Sequence, residues 1–229
     1  ITPRNGIQTV LQHTITPSDI DIIVEADTNA PAFYTGRTLP SRGSSLSIIA
    51  IPQLGDSTNK NDLTYTWEQN DVVLFGGPAR GKSRIEMITP NNRNTVVSVT
   101  IQDGTGVTRA QKTFSVQPFE TTVHFYENNP LRGLSRNGIN GELALVGEEV
   151  TVHAEPFFMD RSLFENGIPV YEWQMNGRTI ENPNNDNTRD ITLRSTGTGG
   201  STSLSFSVRN REQLLQFAEG RFSVRFNDE

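Results

Sequence analysis

The sequence predicts an all-β protein made of two tandem antiparallel sandwiches. Three observations carry that prediction: the chain repeats itself, each repeated block alternates apolar and polar residues, and glycine-rich turns separate the blocks. Ser47-Ile48-Ile49-Ala50-Ile51-Pro52 matches Thr151-Val152-His153-Ala154-Glu155-Pro156, and Thr64-Tyr65-Thr66-Trp67 matches Val170-Tyr171-Glu172-Trp173. Val97-Ser98-Val99-Thr100-Ile101 then matches Leu204-Ser205-Phe206-Ser207-Val208, and Phe114-Ser115-Val116 matches Phe222-Ser223-Val224. The order is the same in both halves and the spacing grows slowly, as when loops absorb small insertions between two copies of one domain.

In chain order, residues 1–17 have no counterpart in the second copy and carry only scattered apolar residues, Ile7, Val10, Leu11 and Ile15. They read as a leader or linker, the alternative being a strand donated to a neighbouring subunit. The first sandwich spans 18–117, opening near Asp19, where Ile20, Ile22 and Val24 alternate, and ending near Val116. Within it Val72-Val73-Leu74 follows the Tyr65/Trp67 strand, and Arg84-Ile85-Glu86-Met87-Ile88-Thr89 alternates as a strand closed by Pro90. Pro118 marks the hinge because proline cannot extend a ladder. The second sandwich spans 118–229 and opens with Thr121-Thr122-Val123-His124-Phe125-Tyr126. Asp103-Gly104-Thr105-Gly106, Asn137-Gly138, Asn140-Gly141, Asn176-Gly177 and Thr196 to Gly200 supply the turns. One stretch departs from the pattern: Arg211 to Gly220 consists of good helix formers ending in a glycine suited to a C-cap, which predicts a short helix in place of the hairpin turn of the first copy.

The chain has 229 residues, 34% of them hydrophobic, with a mean hydropathy of −0.47, enough for two small cores. No stretch approaches the roughly 20 apolar residues of a membrane-spanning helix. Twenty Lys and Arg against 26 Asp and Glu give a formal charge of −6, which disfavours binding to a nucleic-acid backbone. The absence of cysteine excludes disulfides, thiolate zinc sites and a cysteine nucleophile, and there is no Asn-x-Ser/Thr glycosylation acceptor. Together these two absences make a prokaryotic source the easier reading. The chain opens at Ile1 without a signal-peptide pattern and so reads as a processed or excised fragment.

Few residues invite chemistry. Alternation places Tyr65 with Trp67, and Tyr171 with Trp173, on one strand face, where an immunoglobulin-like sandwich carries a central tryptophan; packing is expected rather than a sugar-stacking platform. Gly76 to Ser83 satisfies the G-x-x-x-x-G-K-S pattern of phosphate-cradling loops. Such a loop needs a following helix whose amides face the phosphates, and the strand-like run after Ser83 denies it one. His13, His124 and His153 are the whole imidazole supply. His124 and His153 fall on strands expected to neighbour one another, where a shared metal is conceivable and a structural role is expected. Asp56 to Asp62 and Asn182 to Asn187 are oxygen-rich and could face calcium, but read as solvated turns. No serine elbow is present, and no spaced pair of carboxylates can be placed in a common cleft. The expectation is therefore no catalytic residue, no cofactor and no metal.

The repeated Ala-x-Pro, Tyr-x-Trp and Phe-Ser-Val strands resemble tandem immunoglobulin-like or PKD-like modules of bacterial surface proteins. The run Ser18 to Asp27, continuing through Pro31-Ala32-Phe33-Tyr34-Thr35-Gly36-Arg37, is similar to uncharacterised exported proteins of candidate-phylum (Patescibacteria-type) bacteria, as are Phe125 to Gly133 and Ala154 to Phe158. The resemblance implies export, attachment to the cell envelope and a structural, adhesive or filament-associated role. A protein partner or self-assembly is expected. The alternative is a binding module that recognises a glycan or protein through its end loops.

Overall fold

In the computed structural model, residues 18–54, 62–91, 95–180, 189–195, 197 and 199–226 are described. The first copy runs β1 (Asp19–Ala26), β2 (Ser45–Gln53), β3 (Thr64–Gln69), β4 (Val72–Val73), β5 (Ala79–Arg80), β6 (Arg84–Ile88), β7 (Thr95–Gln102) and β8 (Thr108–Val116). One sheet has the order β1-β2-β6 and the other β4-β3-β7-β8, with β5 against β3. The second copy runs β9 (Thr122–Asn129), β10 (Gly133–Gly138), β11 (Glu142–Leu145), β12 (Glu149–Phe157), helix α1 (Arg161–Glu165), β13 (Pro169–Met175), β14 (Arg178–Ile180), β15 (Asp190–Arg194), β16 (Gly200–Asn210) and β17 (Phe217–Phe226). Its sheets are β10-β9-β12-β15 and β11-β17-β16-β13-β14. Matching strands occupy matching places: β1 with β9, β2 with β12, β3 with β13, β6 with β15, β7 with β16 and β8 with β17. The chain is two copies of an immunoglobulin-like β-sandwich arrangement.

Register makes the repeat exact at the level of single residues. Trp67 lies opposite Val99 and Trp173 opposite Phe206, equivalent positions of the matched blocks. The turn after each tryptophan strand is built alike. Asn70 (φ 48°) and Asp71 (φ 64°) reverse the first, Asn176 (φ 48°) and Gly177 (φ 77°) the second, both in the left-handed region that two-residue hairpins require. Asn70 Oδ1 accepts the Val96 amide at 3.0 Å, and Asn176 Oδ1 accepts the Ser203 amide at 3.0 Å. Each asparagine thus ties its turn to the next strand of the sheet.

By contact the described residues form two compact units, one from 18–23, 49–84 and 96–115, the other from 24–48, 85–95 and 116–226. In the first unit Ile20, Ala50, Tyr65, Trp67, Val97, Val99 and Ile101 are buried, and Trp67 Nε1 donates to the Lys82 carbonyl at 2.9 Å. The alternation read from the sequence produces this pattern directly, since residues two apart share a face. In the second unit Phe125, Trp173, Phe206 and Phe222 form the aromatic centre, with Trp173 and Phe206 centroids 4.8 Å apart. Around them pack Val152, Ala154, Leu193, Leu204, Val208, Ala218 and Val224.

Two sequence expectations fail here. The helix expected over Arg211 to Gly220 does not form: residues 211–216 make a loop and β17 begins at Phe217. Asn210 closes that loop, its Oδ1 accepting the Glu212 amide at 2.8 Å and its own amide donating to the Gln216 carbonyl at 2.9 Å. Helix propensity amounts to tenths of a kcal/mol per residue, whereas Ala218 opposite Val208 and Phe222 opposite Leu204 put fully buried apolar area on a sheet. Gly220 lies opposite Phe206 in mid-strand, not at a helix end. Asn137-Gly138, expected as a turn, ends β10 instead. The structure also adds α1, a five-residue helix too short to show helical periodicity. It is nonetheless well capped, Asp160 accepting the Ser162 amide at 3.0 Å, and it buries Leu163. The leader expected over 1–17, and with it His13, lies outside the described residues, as do both oxygen-rich loops apart from Asp62.

Candidate functional site

Strand β12 is buried on both faces from Val152 to Phe157, unlike a strand with one solvated face. Val152 and Ala154 face the core. The opposite face carries His153, Glu155 and Phe157, and residues 28–34 of the same compact unit lie over it. Thr28 bridges Asp160, the Asn29 amide donates to the Met159 carbonyl at 2.7 Å, and the Phe158 amide returns to the Asn29 carbonyl at 2.8 Å. Edge-on aromatic pairs complete the cover: Phe33 on Tyr126 at 5.3 Å and Tyr34 on Phe157 at 5.5 Å.

Beneath this cover is a buried polar cluster. His153 Nδ1 lies 2.6 Å from Asp190 Oδ1 and its Nε2 lies 2.9 Å from Glu155 Oε2. Asn29 Nδ2 donates to Glu155 Oε1 at 2.7 Å and to the Pro156 carbonyl at 2.6 Å, while Arg189 Nη1 lies 3.3 Å from Glu155 Oε2. His153 is 8% exposed and Glu155 6%. With His153 protonated, the four charges named here cancel, which is how buried ions persist. Burial is the largest single influence on His153 and opposes its charge, but the hydrogen bonds its ring donates to Asp190 and Glu155, with the Asp190 charge, outweigh it and the Arg189 repulsion, so its pKa stands above the ordinary 6.5. For Glu155, burial is again the largest influence and would raise the pKa. Hydrogen bonds from His153 and Asn29, with the charges of Arg189 and His153, bring it below the ordinary 4.5.

A second polar knot adjoins it. Asp160 Oδ2 accepts the Ser45 amide at 2.6 Å, and the Asp160 amide donates to Gln216 Oε1 at 2.9 Å. The Gln216 amide nitrogen in turn donates to Ser41 Oγ at 3.1 Å and to the Arg42 carbonyl. Gln216 is fully buried and thereby draws the 211–216 loop inward.

The expected neighbours His124 and His153 do lie on paired strands, yet they do not converge. His124 stands opposite Glu155 and His153 opposite Tyr126. His124 packs its ring on Phe157 at 4.7 Å and meets Thr122 Oγ1 at 3.2 Å, and burial holds its pKa below the ordinary value. No group of three or more His, Asp or Glu among the described residues is arranged to hold a metal. Both tryptophans are buried in packing roles. The phosphate-loop pattern opens no helix: Gly76, Gly77 and Gly81 adopt positive φ in turns, β5 pairs with β3, and strand β6 follows. Lys82 sits over the Phe75 ring at 3.7 Å.

Glu155, Asp190, Arg189 and Asn29 were not legible as a cluster. The one local signal is His153-x-Glu155, which puts both side chains on one strand face. Asp190 reaches them through the β12–β15 register, and Asn29 through tertiary packing alone. With both ring nitrogens engaged by carboxylates, the intact cluster offers no free lone pair for general-base work and instead ties three chain segments together.

No protein-family model matches the chain, and no curated protein does. Among solved structures, it is similar to the fibronectin(III)-like modules of Clostridium thermocellum CbhA, at 9% identity over 90% of this chain and 94% of that one, with a TM-score of 0.29. It is also similar to Sidekick-1 immunoglobulin domains 1–4, at 12% identity over 87% of this chain and 75% of that one, with a TM-score of 0.27. For Sidekick-1 domains 1–5 the identity is 12%, the coverage 88% and 60%, and the TM-score 0.28. The strand order and register described above, rather than these likenesses, define the fold.

Proposed function

We propose that the chain is a non-enzymatic structural or adhesive module displayed outside a prokaryotic cell, its two sandwiches occupying 18–117 and 118–229. The observation that carries this reading is the use made of its buried polar groups. His153, Glu155, Asp160 and Gln216 spend their hydrogen bonds on holding strands, loop and cover to one another, and both tryptophans are spent on packing. The prokaryotic and extracellular parts of the proposal rest on the sequence resemblance and on the cysteine-free composition. A protein partner or a further copy of the chain is favoured over a glycan, because the 211–216 loop turns Leu214, 91% exposed, and Leu215 outward while Gln216 is buried. Light scattering and electron microscopy over a concentration series, run beside a glycan array, test this. Concentration-dependent oligomers or fibres without sugar-specific signal are expected. Saturable binding to one sugar class would replace the proposal with a glycan-binding module.

A further inference from the structure

A neutral imidazole carries one N–H and one acceptor nitrogen, whereas an imidazolium carries two N–H groups. Between two carboxylates, His153 can satisfy both partners only in the doubly protonated form, since a lone pair at either nitrogen would face Asp190 or Glu155 oxygen inside a buried site. Glu155 is also the carboxylate that Asn29 grips, and Asn29 is the residue through which residues 28–34 are hydrogen-bonded to β12. The protonation of one ring is thereby connected to the docking of one segment.

We propose that His153 is a proton-dependent latch: with both ring nitrogens protonated it holds Glu155 in place for Asn29, and loss of one proton releases residues 28–34 from the sheet, baring the aromatic face of Tyr126 and Phe157. The groups around the ring are Glu155 on its own strand, Asp190 of β15 with the preceding Arg189, and, across β9, Tyr126 opposite His153 and His124 opposite Glu155. Tyr171 of β13 is close enough to Glu155 and Arg189 to feel both charges. His124 moves in the other direction, because burial disfavours its charged form and acid works against the fold there.

The pH window follows from the direction of the shift. A histidine whose pKa is raised in the folded state stabilises fully below its unlatched value, near 6.5, and that contribution falls as pH rises until the latched ring itself titrates. Within the window the ratio of unlatched to latched segment grows by up to about tenfold per pH unit, and above it no further change comes from this group. On the acid side Glu155 sets the limit, its contribution falling as pH drops below the ordinary 4.5.

Two-dimensional NMR of the intact chain reads both halves of the proposal: the ring resonances of His153 give its titration, and hydrogen-exchange protection factors, corrected for intrinsic rates, give the opening of residues 28–34. The expected result is a His153 midpoint above 6.5, with protection of 28–34 declining through the same interval while the core strands β13 and β16 keep theirs. His153→Gln should flatten that decline. Asn29→Ala keeps the imidazole cluster and should leave 28–34 weakly protected at every pH while His153 still titrates high. A His153 midpoint at or below 6.5, protection of 28–34 that is indifferent to it, or the same decline in His153→Gln overturns the latch. These outcomes are independent of the light-scattering and glycan results that decide the proposed function.

Discussion

Gly220 offers a sharp test of how the two sheets of the second sandwich meet. A methyl group added there would lie 2.9 Å from each of three atoms: Val123 Cβ, the Val123 carbonyl oxygen and Phe125 Cε2. Ordinary carbon contacts are about 3.5–4.0 Å, so β17 and β9 would have to separate by roughly half an ångström or more. Neither can yield cheaply. Gly220 is paired with Phe206, and Val123 and Phe125 are paired with Pro156 and Ala154. Overpacking of this kind costs about 1–3 kcal/mol, and with a backbone atom among the clashes the upper part of that range applies. Removing a glycine from a strand returns about 0.5–1 kcal/mol of chain entropy. Gly220→Ala should therefore lose about 2 kcal/mol and, for a chain of this length, about 4–8 °C in melting temperature. Denaturation followed by tryptophan fluorescence measures it, since Trp173 lies 5.9 Å from the Phe125 ring that must move. Gly104→Ala is the control: its nearest neighbour, Asp62 Cβ, is at 3.7 Å, an ordinary contact, and the change should stay within about 0.5 kcal/mol. A Gly220→Ala protein as stable as its parent would refute the close approach of the sheets.

The other predictions concern the buried polar groups and the glycine-rich loop. Gln216→Ala orphans the Asp160 amide and the Arg42 carbonyl and should cost about 2–4 kcal/mol in urea unfolding. Asp160→Ala removes both the cap of α1 and the acceptor for Ser45, an expected loss of about 2–4 kcal/mol, with Asp160→Asn intermediate. Lys82→Ala should cost less than about 1 kcal/mol, the worth of an exposed cation–π contact, and isothermal titration of the parent with ATP should give no saturable heat.

What depends on alternation is legible in the sequence. Strands β2, β3, β7 and β8 and their counterparts β12, β13, β16 and β17 are visible because one face of each meets a core, so apolar residues recur at every second position. Arg211 to Gly220 misleads for the opposite reason: its local preference is helical, and only the ladder with β16 and the pull on Gln216 overrule it. The Asn176-Gly177 turn is legible as a turn former but not as a tie to Ser203, and the matching tie of Asn70 to Val96 is visible only in the structure.

The sequence by itself determined the class, the duplication and the positions of Trp67 and Trp173, because hydrophobic period and repetition are properties of neighbouring residues. Only the tertiary structure decided the polar cluster. Asn29, His153, Glu155, Arg189 and Asp190 come from distant segments, and their meeting depends on strand register and on residues 28–34 crossing the outer face of β12. A buried charge is tolerable only where partners converge on it, and no single segment of the chain carries that convergence.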